Sequence, residues 1–215
     1  LPIFSNDFFS LFTYSDSFLN GYSIYTAFDA DTQSQFGIFV NPIYSQVNCK
    51  YGPVNVLLMS IPILIGSKNF VLIFWISKFI FLLFTILYVE AVLHFMENYD
   101  NRFLIAALIP VWFIQGLGQF HNDIVGVSLI AWGYLLLLKD KLLPSILLLT
   151  IAALSKFTFL VFLGVPFLYQ MERNYLLNLK VLFKLGILIT TVFCLLGILF
   201  YYPFVQNLSE ILAPF

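Results

Sequence analysis

FLIAALIPVWFIQGLGQFHNDIVGVSLIAWGYLLLL, residues 103–138, decides the fold. Two uncharged apolar runs flank a short polar turn, and that turn sets His121, Asn122 and Asp123 in a row. A helix that crosses a bilayer needs about 20 residues. Residues 103–120 are long enough to cross and 123–138 marginally so, and the turn reads as the place where two membrane helices meet at one face.

The remaining sequence has the same character. Of 215 residues, 61% are hydrophobic, 19% aromatic and only 10% charged, where a soluble domain carries roughly 25% charged residues. The mean hydropathy is +0.95. A globule of this size cannot hide so much apolar surface from water, so lipid is the solvent for much of it. The net charge of −1 offers no basic face for nucleic acid. Cys49 lies in a polar segment and Cys194 inside an apolar run, which argues against a disulfide between them. The chain opens at Leu1 in a polar, aromatic-rich stretch without a signal-peptide pattern and closes on Ala213-Pro214-Phe215. We expect a fragment of a longer membrane protein with further spans on both sides.

Residues 1–52 mix Asp7, Asp16, Asp29, Asp31 and Lys50 with Ser, Thr, Asn, Phe and Tyr. Such mixtures suit the membrane–water boundary, where aromatic rings lie at headgroup depth. An ordered external loop with short interfacial helices is expected there, with Asp16 solvated. Residues 54–65 are too short to cross and read as an interfacial or re-entrant helix. Across 69–202 the apolar runs give about five to six transmembrane helices: 69–96, 103–120, 123–138, 142–171 broken at Ser155-Lys156, and 179–202. The expected fold is an all-α polytopic membrane protein forming a single transmembrane domain. Placing Arg102, Lys139, Lys141, Arg173, Lys180 and Lys184 inside satisfies the positive-inside pattern. The 1–52 loop, the His121-Asn122-Asp123 turn and the Lys156 break then share the external side.

Several pieces on that side carry a family likeness. DFFSLFTYSDSFLNGYSIY (7–25) sets Asp7 fourteen residues before Gly21, with Tyr25 after it. NCKYGPVNVLLMSIPIL (48–64) opens the short helix with Tyr51-Gly52-Pro53. FWISKFIFLLF (74–84) puts Lys78 in a span. The His121-Asn122-Asp123 triplet and LLLTIAALSKFTFLVFLGVPFL (147–168) follow. In this order, and over most of the chain, they resemble polyprenyl-phosphate-sugar-dependent glycosyltransferases of the GT-C superfamily, in the α-1,6-mannosyltransferase-like branch. Lys78 stands where that family usually has Arg, and Val54-Asn55-Val56 replaces its more usual Leu-Phe.

The resemblance implies a GT-C-type helix bundle whose long external first loop serves an extracytoplasmic active site, in the plasma membrane or its equivalent. The enzyme would move a hexose such as mannose from a polyprenyl-phosphate carrier to a hydroxyl on a glycan or lipid acceptor. It would need no cofactor, although a divalent metal has room. Asp7 aligns with the family's first-loop acid, which makes it the catalytic base; Ser5-Asn6-Asp7 also reads as a helix-capping signal.

Lys50, Lys156 and Lys78 are expected at the donor phosphate, and Tyr51, His121, Asn122 and Asp123 as substrate-positioning residues. Lys78 lies about 14 Å into its span, where an ammonium costs about 2.5–3.5 kcal/mol and turns toward a cavity or partner; Asp7 and Asp123 are the expected partners. The plain alternatives are an interfacial Lys156, a solvated Lys50, and Asn122 or Asp123 capping the helix that follows. His, Asn and Asp alone are too few for a metal site. Two rival functions remain open on these residues: an ion- or proton-coupled transporter using Lys78 and Asp123, and a non-catalytic membrane subunit of a glycan-assembly complex.

Overall fold

The computed structural model describes residues 6–25, 28–40, 45–98, 121–173 and 179–204. Every described element is helical. α1 (Asn6–Leu19) and the short α2 (Ala30–Gln33) belong to the first loop, which also holds a 3-10 turn at Gly37–Phe39. α3 (Pro53–Gly66) starts with proline in its first turn, where no N–H is needed and φ is already helical. α4 (Phe70–Asn98) follows, then α5 (Asp123–Leu138) and α6 (Leu142–Ser155). Beyond Lys156 come a 3-10 segment (Phe157–Gly164), α7 (Val165–Arg173) and α8 (Leu179–Tyr201). The apolar stretch 142–171 is thus two helical pieces joined at the lysine. The expected span at 103–120 lies outside the described residues.

Two helical stretches, Phe70–Phe95 and Leu179–Phe204, are long and apolar enough to cross a membrane, and the rest of the chain buries little of either. Trp75, Phe79 and Ile86 on α4, and Leu195, Ile198 and Leu199 on α8, are exposed. A water-soluble protein would bury such faces. Polar side chains inside α3 and α4 close onto their own backbone: Ser60 donates to the Val56 carbonyl, Ser77 to that of Ile73 and Thr85 to that of Phe81. These bonds satisfy the hydroxyls without any outside partner.

α5 and α6 pack as an antiparallel pair, with Leu149 over Gly133. α5 also packs against α4. Trp132 Nε1 donates to the Leu87 carbonyl at 2.8 Å, the His94 ring faces Trp132, and Phe95 stacks on Tyr134. The first loop covers one end of these helices. Phe36 meets Phe70 at the start of α4, and Phe18 meets Phe204 just past α8. Ser15 Oγ donates to the Val56 carbonyl and ties α1 to α3. Phe12, Val56, Ile73, Phe81, Ile124 and Leu154 are buried where loop and helices join.

Asp16 departs from expectation. It is not solvated but 4% exposed, and its carboxylate accepts from Ser34 Oγ (2.8 Å), the Gln35 backbone N–H (3.0 Å) and Gln35 Nε2 (3.3 Å). Three donors replace the water it gives up, so burial is tolerated. Its role is to hold the segment after α2 against α1. Cys49 and Cys194 are both free. Burial pushes the Cys49 thiol well above its ordinary range, so it stays protonated.

Candidate functional site

The break in 142–171 is where three distant segments meet. α6 ends at Ser155, and Lys156 is extended, with φ −155° and ψ 125°. The Ser155 carbonyl accepts from the Gly52 N–H at 2.9 Å and from Asn55 Nδ2 at 3.0 Å. A helix end leaves carbonyls without intrahelical partners; here the start of α3 supplies two donors to one of them. Gly52 is needed for this approach, because a Cβ there would overlap the Leu154 carbonyl. Gly52→Ala is therefore expected to separate α3 from α6 and to cost on the order of 1–3 kcal/mol, as overpacking does. The check is the thermal midpoint of the detergent-solubilised protein, and an unchanged midpoint would contradict this packing.

Turning away from the helix axis, Lys156 reaches the start of α5. Its Nζ lies 2.7 Å from Asp123 Oδ1, while His121 Nδ1 lies 3.3 Å from Asp123 Oδ2. Both members of the Lys156–Asp123 pair are about one-quarter exposed. The ammonium has three N–H donors and this carboxylate takes one, which leaves capacity for a second anion.

Asn122 occupies the cap position of α5 without a side-chain capping bond. It is 2% exposed, and among the described residues neither its amide nitrogen nor its amide oxygen has a hydrogen-bond partner. Asp123 faces Lys156 and His121 rather than closing onto the helix backbone. Neither side chain therefore acts as a plain helix cap.

The other expected site residues have their own surroundings, and one expected pairing is corrected. Lys50 is exposed, two residues ahead of Gly52. Tyr51 is buried; its ring faces Tyr14 and its carbonyl accepts from the Tyr25 hydroxyl at 3.2 Å, so it builds the turn from within. The expected Lys78–Asp123 pair does not form, because Lys156 and His121 take the two Asp123 oxygens. Lys78 Nζ lies over the Phe74 ring, 5.8 Å from its centroid.

Asp7 falls in the first turn of α1; its side chain lies outside the described residues.

Asn55, which clamps the α6 end, was missed as a functional residue. The available signal was a lone amide in an otherwise apolar short helix, since buried polar groups need partners. Among the described residues, no three His, Cys, Asp or Glu side chains gather as a metal site would require.

Residues 1–172 match the family model described as "Alpha-(1->6)-mannopyranosyltransferase, N-terminal domain". No curated protein matches. No solved structure matches.

Proposed function

The chain belongs to the alpha-(1->6)-mannopyranosyltransferase family, and we propose that it is part of a polytopic membrane enzyme of the GT-C type. On this reading it transfers mannose from a polyprenyl-phosphate carrier to a hydroxyl of a glycan or lipid acceptor, at the extracytoplasmic face. The observation that carries the reading is the Lys156–Asp123 pair, set where the first loop, the His121-Asn122-Asp123 turn and the broken apolar helix converge.

Glycosyl transfer with inversion has three needs. A base takes the acceptor proton, cations hold the departing phosphate, and bulk water is kept from the sugar. Asp7 takes the proton as the acceptor oxygen attacks the anomeric carbon. The bond from that carbon to the phosphate oxygen breaks, and the carrier phosphate leaves as an anion. Lys156 holds it as a point charge, with Lys50 from the loop and Lys78 from α4. Asp123, itself held by His121, fixes the Lys156 amine, Asn122 offers its amide N–H groups and carbonyl oxygen to sugar hydroxyls, and Tyr51 shapes the entrance. The reading uses no cofactor.

Transfer is tested with the full-length protein in membranes, radiolabelled polyprenyl-phosphate mannose and a glycan acceptor. Label should move to the acceptor, and its absence would remove the reading. Sidedness has its own test. In a chain with Cys49→Ser and Cys194→Ser, single cysteines from Ser45→Cys and His121→Cys should both react with an impermeant maleimide added outside. Reaction of only one of them would break the shared external face.

A further inference from the structure

We propose that the 3-10 turn Gly37–Phe39 is a membrane anchor that seats the first loop in the outer surface of the bilayer; this rests on α4 spanning that bilayer. Ile38, at the middle of the turn, is 84% exposed, the highest exposure among the large hydrophobic residues described. One exposed aliphatic side chain is ordinary, but a group of exposed apolar side chains marks an interaction surface.

The turn is rigidly held. A Cβ at Gly37 would overlap the Ala30 carbonyl, so the backbone there lies hard against α2. Phe39 N–H donates to the Phe36 carbonyl at 3.0 Å, and Val40 N–H to that of Gly37 at 2.9 Å. Ile38 is therefore presented by a fixed backbone.

What lies beside it identifies the occupant. The Phe39 ring stacks on Phe70, in the first turn of α4, with centroids 5.6 Å apart and planes 30° apart. Val71, Leu72 and Trp75 continue the exposed apolar surface down α4, and Leu64 and Ile65 extend it from the end of α3. Lys68, exposed in the turn between α3 and α4, stands at the same end, where lipid phosphates lie. The Phe39–Phe70 stack thus joins the apolar surface of a helix long enough to span to the turn that carries Ile38. A partner protein would have to displace lipid from α4 to reach this surface; the bilayer covers it as it stands.

The anchor also reaches the helix that carries Asp7. The Phe39 ring also stacks on Phe9 of α1, with centroids 5.5 Å apart and planes 27° apart. Phe39 thus links α1 to the first turn of α4.

The test reads depth in the bilayer. Phe39→Trp is made in the full chain after Trp75→Phe, Trp112→Phe and Trp132→Phe, and reconstituted in phosphatidylcholine vesicles. A companion chain keeps Trp75 as its sole tryptophan. Emission from position 39 should fall with lipids brominated near the top of the acyl chain and resist aqueous iodide. Quenching of Trp75 by bromine, with position 39 answering only to iodide, would overturn the anchor and leave the spanning helix intact. Loss of emission at neither position with any brominated lipid would overturn both. If these chains fold poorly, Ile38→Cys in a Cys194→Ser chain can carry a nitroxide; relaxation by oxygen should exceed that by a water-soluble nickel chelate, and the reverse order would refute the anchor.

Discussion

Asp7→Asn should lower sugar-transfer turnover by at least about 100-fold, the low end of what a positioned base contributes. In barrier terms that is about 3 kcal/mol or more. The substitution keeps the size of the side chain and removes only the proton-accepting charge. With α1 beginning at Asn6, position 7 lies in the first turn, where a carboxylate also favours the helix. That structural effect is worth about 0.3–1 kcal/mol, far too little to slow turnover 100-fold. Donor binding should be kept, because the phosphate sites are elsewhere. The measurement is turnover at saturating donor in membranes, with expression matched. An Asp7→Asn enzyme running at the normal rate would take Asp7 out of the mechanism and put the transporter reading ahead.

Lys156→Met should weaken donor binding by roughly 10- to 150-fold, the range for a charged hydrogen bond worth about 1.5–3 kcal/mol. The pair with Asp123 makes a sharper experiment possible. Asp123→Leu alone strands the ammonium in a mostly buried place and should cost on the order of 3 kcal/mol of stability. The double substitution Asp123→Leu with Lys156→Met removes both charges, and stability should return, since apolar replacements of a buried pair are often neutral or better. Donor affinity should not return with it. A double variant that regains both stability and donor binding would reduce the pair to a fold element with no hold on phosphate.

How far the sequence could be read depended on the range of the interaction. The break at Lys156 was visible because a single ammonium interrupts a long apolar run, and α6 does end at Ser155. The start of α5 at Asp123 and the shortness of α3 were visible for similar reasons: polarity and proline act within a turn or two. Partners were not visible. Asp123 and Lys156 are 33 positions apart, and Asn55 and the Ser155 carbonyl 100 apart. Such pairs are set by the register at which helices pack, and no local pattern encodes that register. Lys78 was matched with Asp123 as one intramembrane charge with another, but the two Asp123 oxygens lie against Lys156 and His121 instead. Asp16 was misread because a charged residue beside Ser and Tyr looks wet, while the donors that dry it come from Ser34 and Gln35 in another segment.

The lengths of α5 and α6, 16 and 14 residues, have a further consequence for an enzyme in lipid. They measure about 24 and 21 Å, against a hydrocarbon slab of roughly 30 Å. The apolar stretch that begins with α6 therefore gains its length from the 3-10 segment and α7 beyond Lys156, whereas α5 has no such extension at its Lys139 end. For the membrane enzyme proposed above, a bilayer matched to the longer α4 would exceed α5 by several ångströms, and each ångström of such mismatch costs fractions of a kcal/mol.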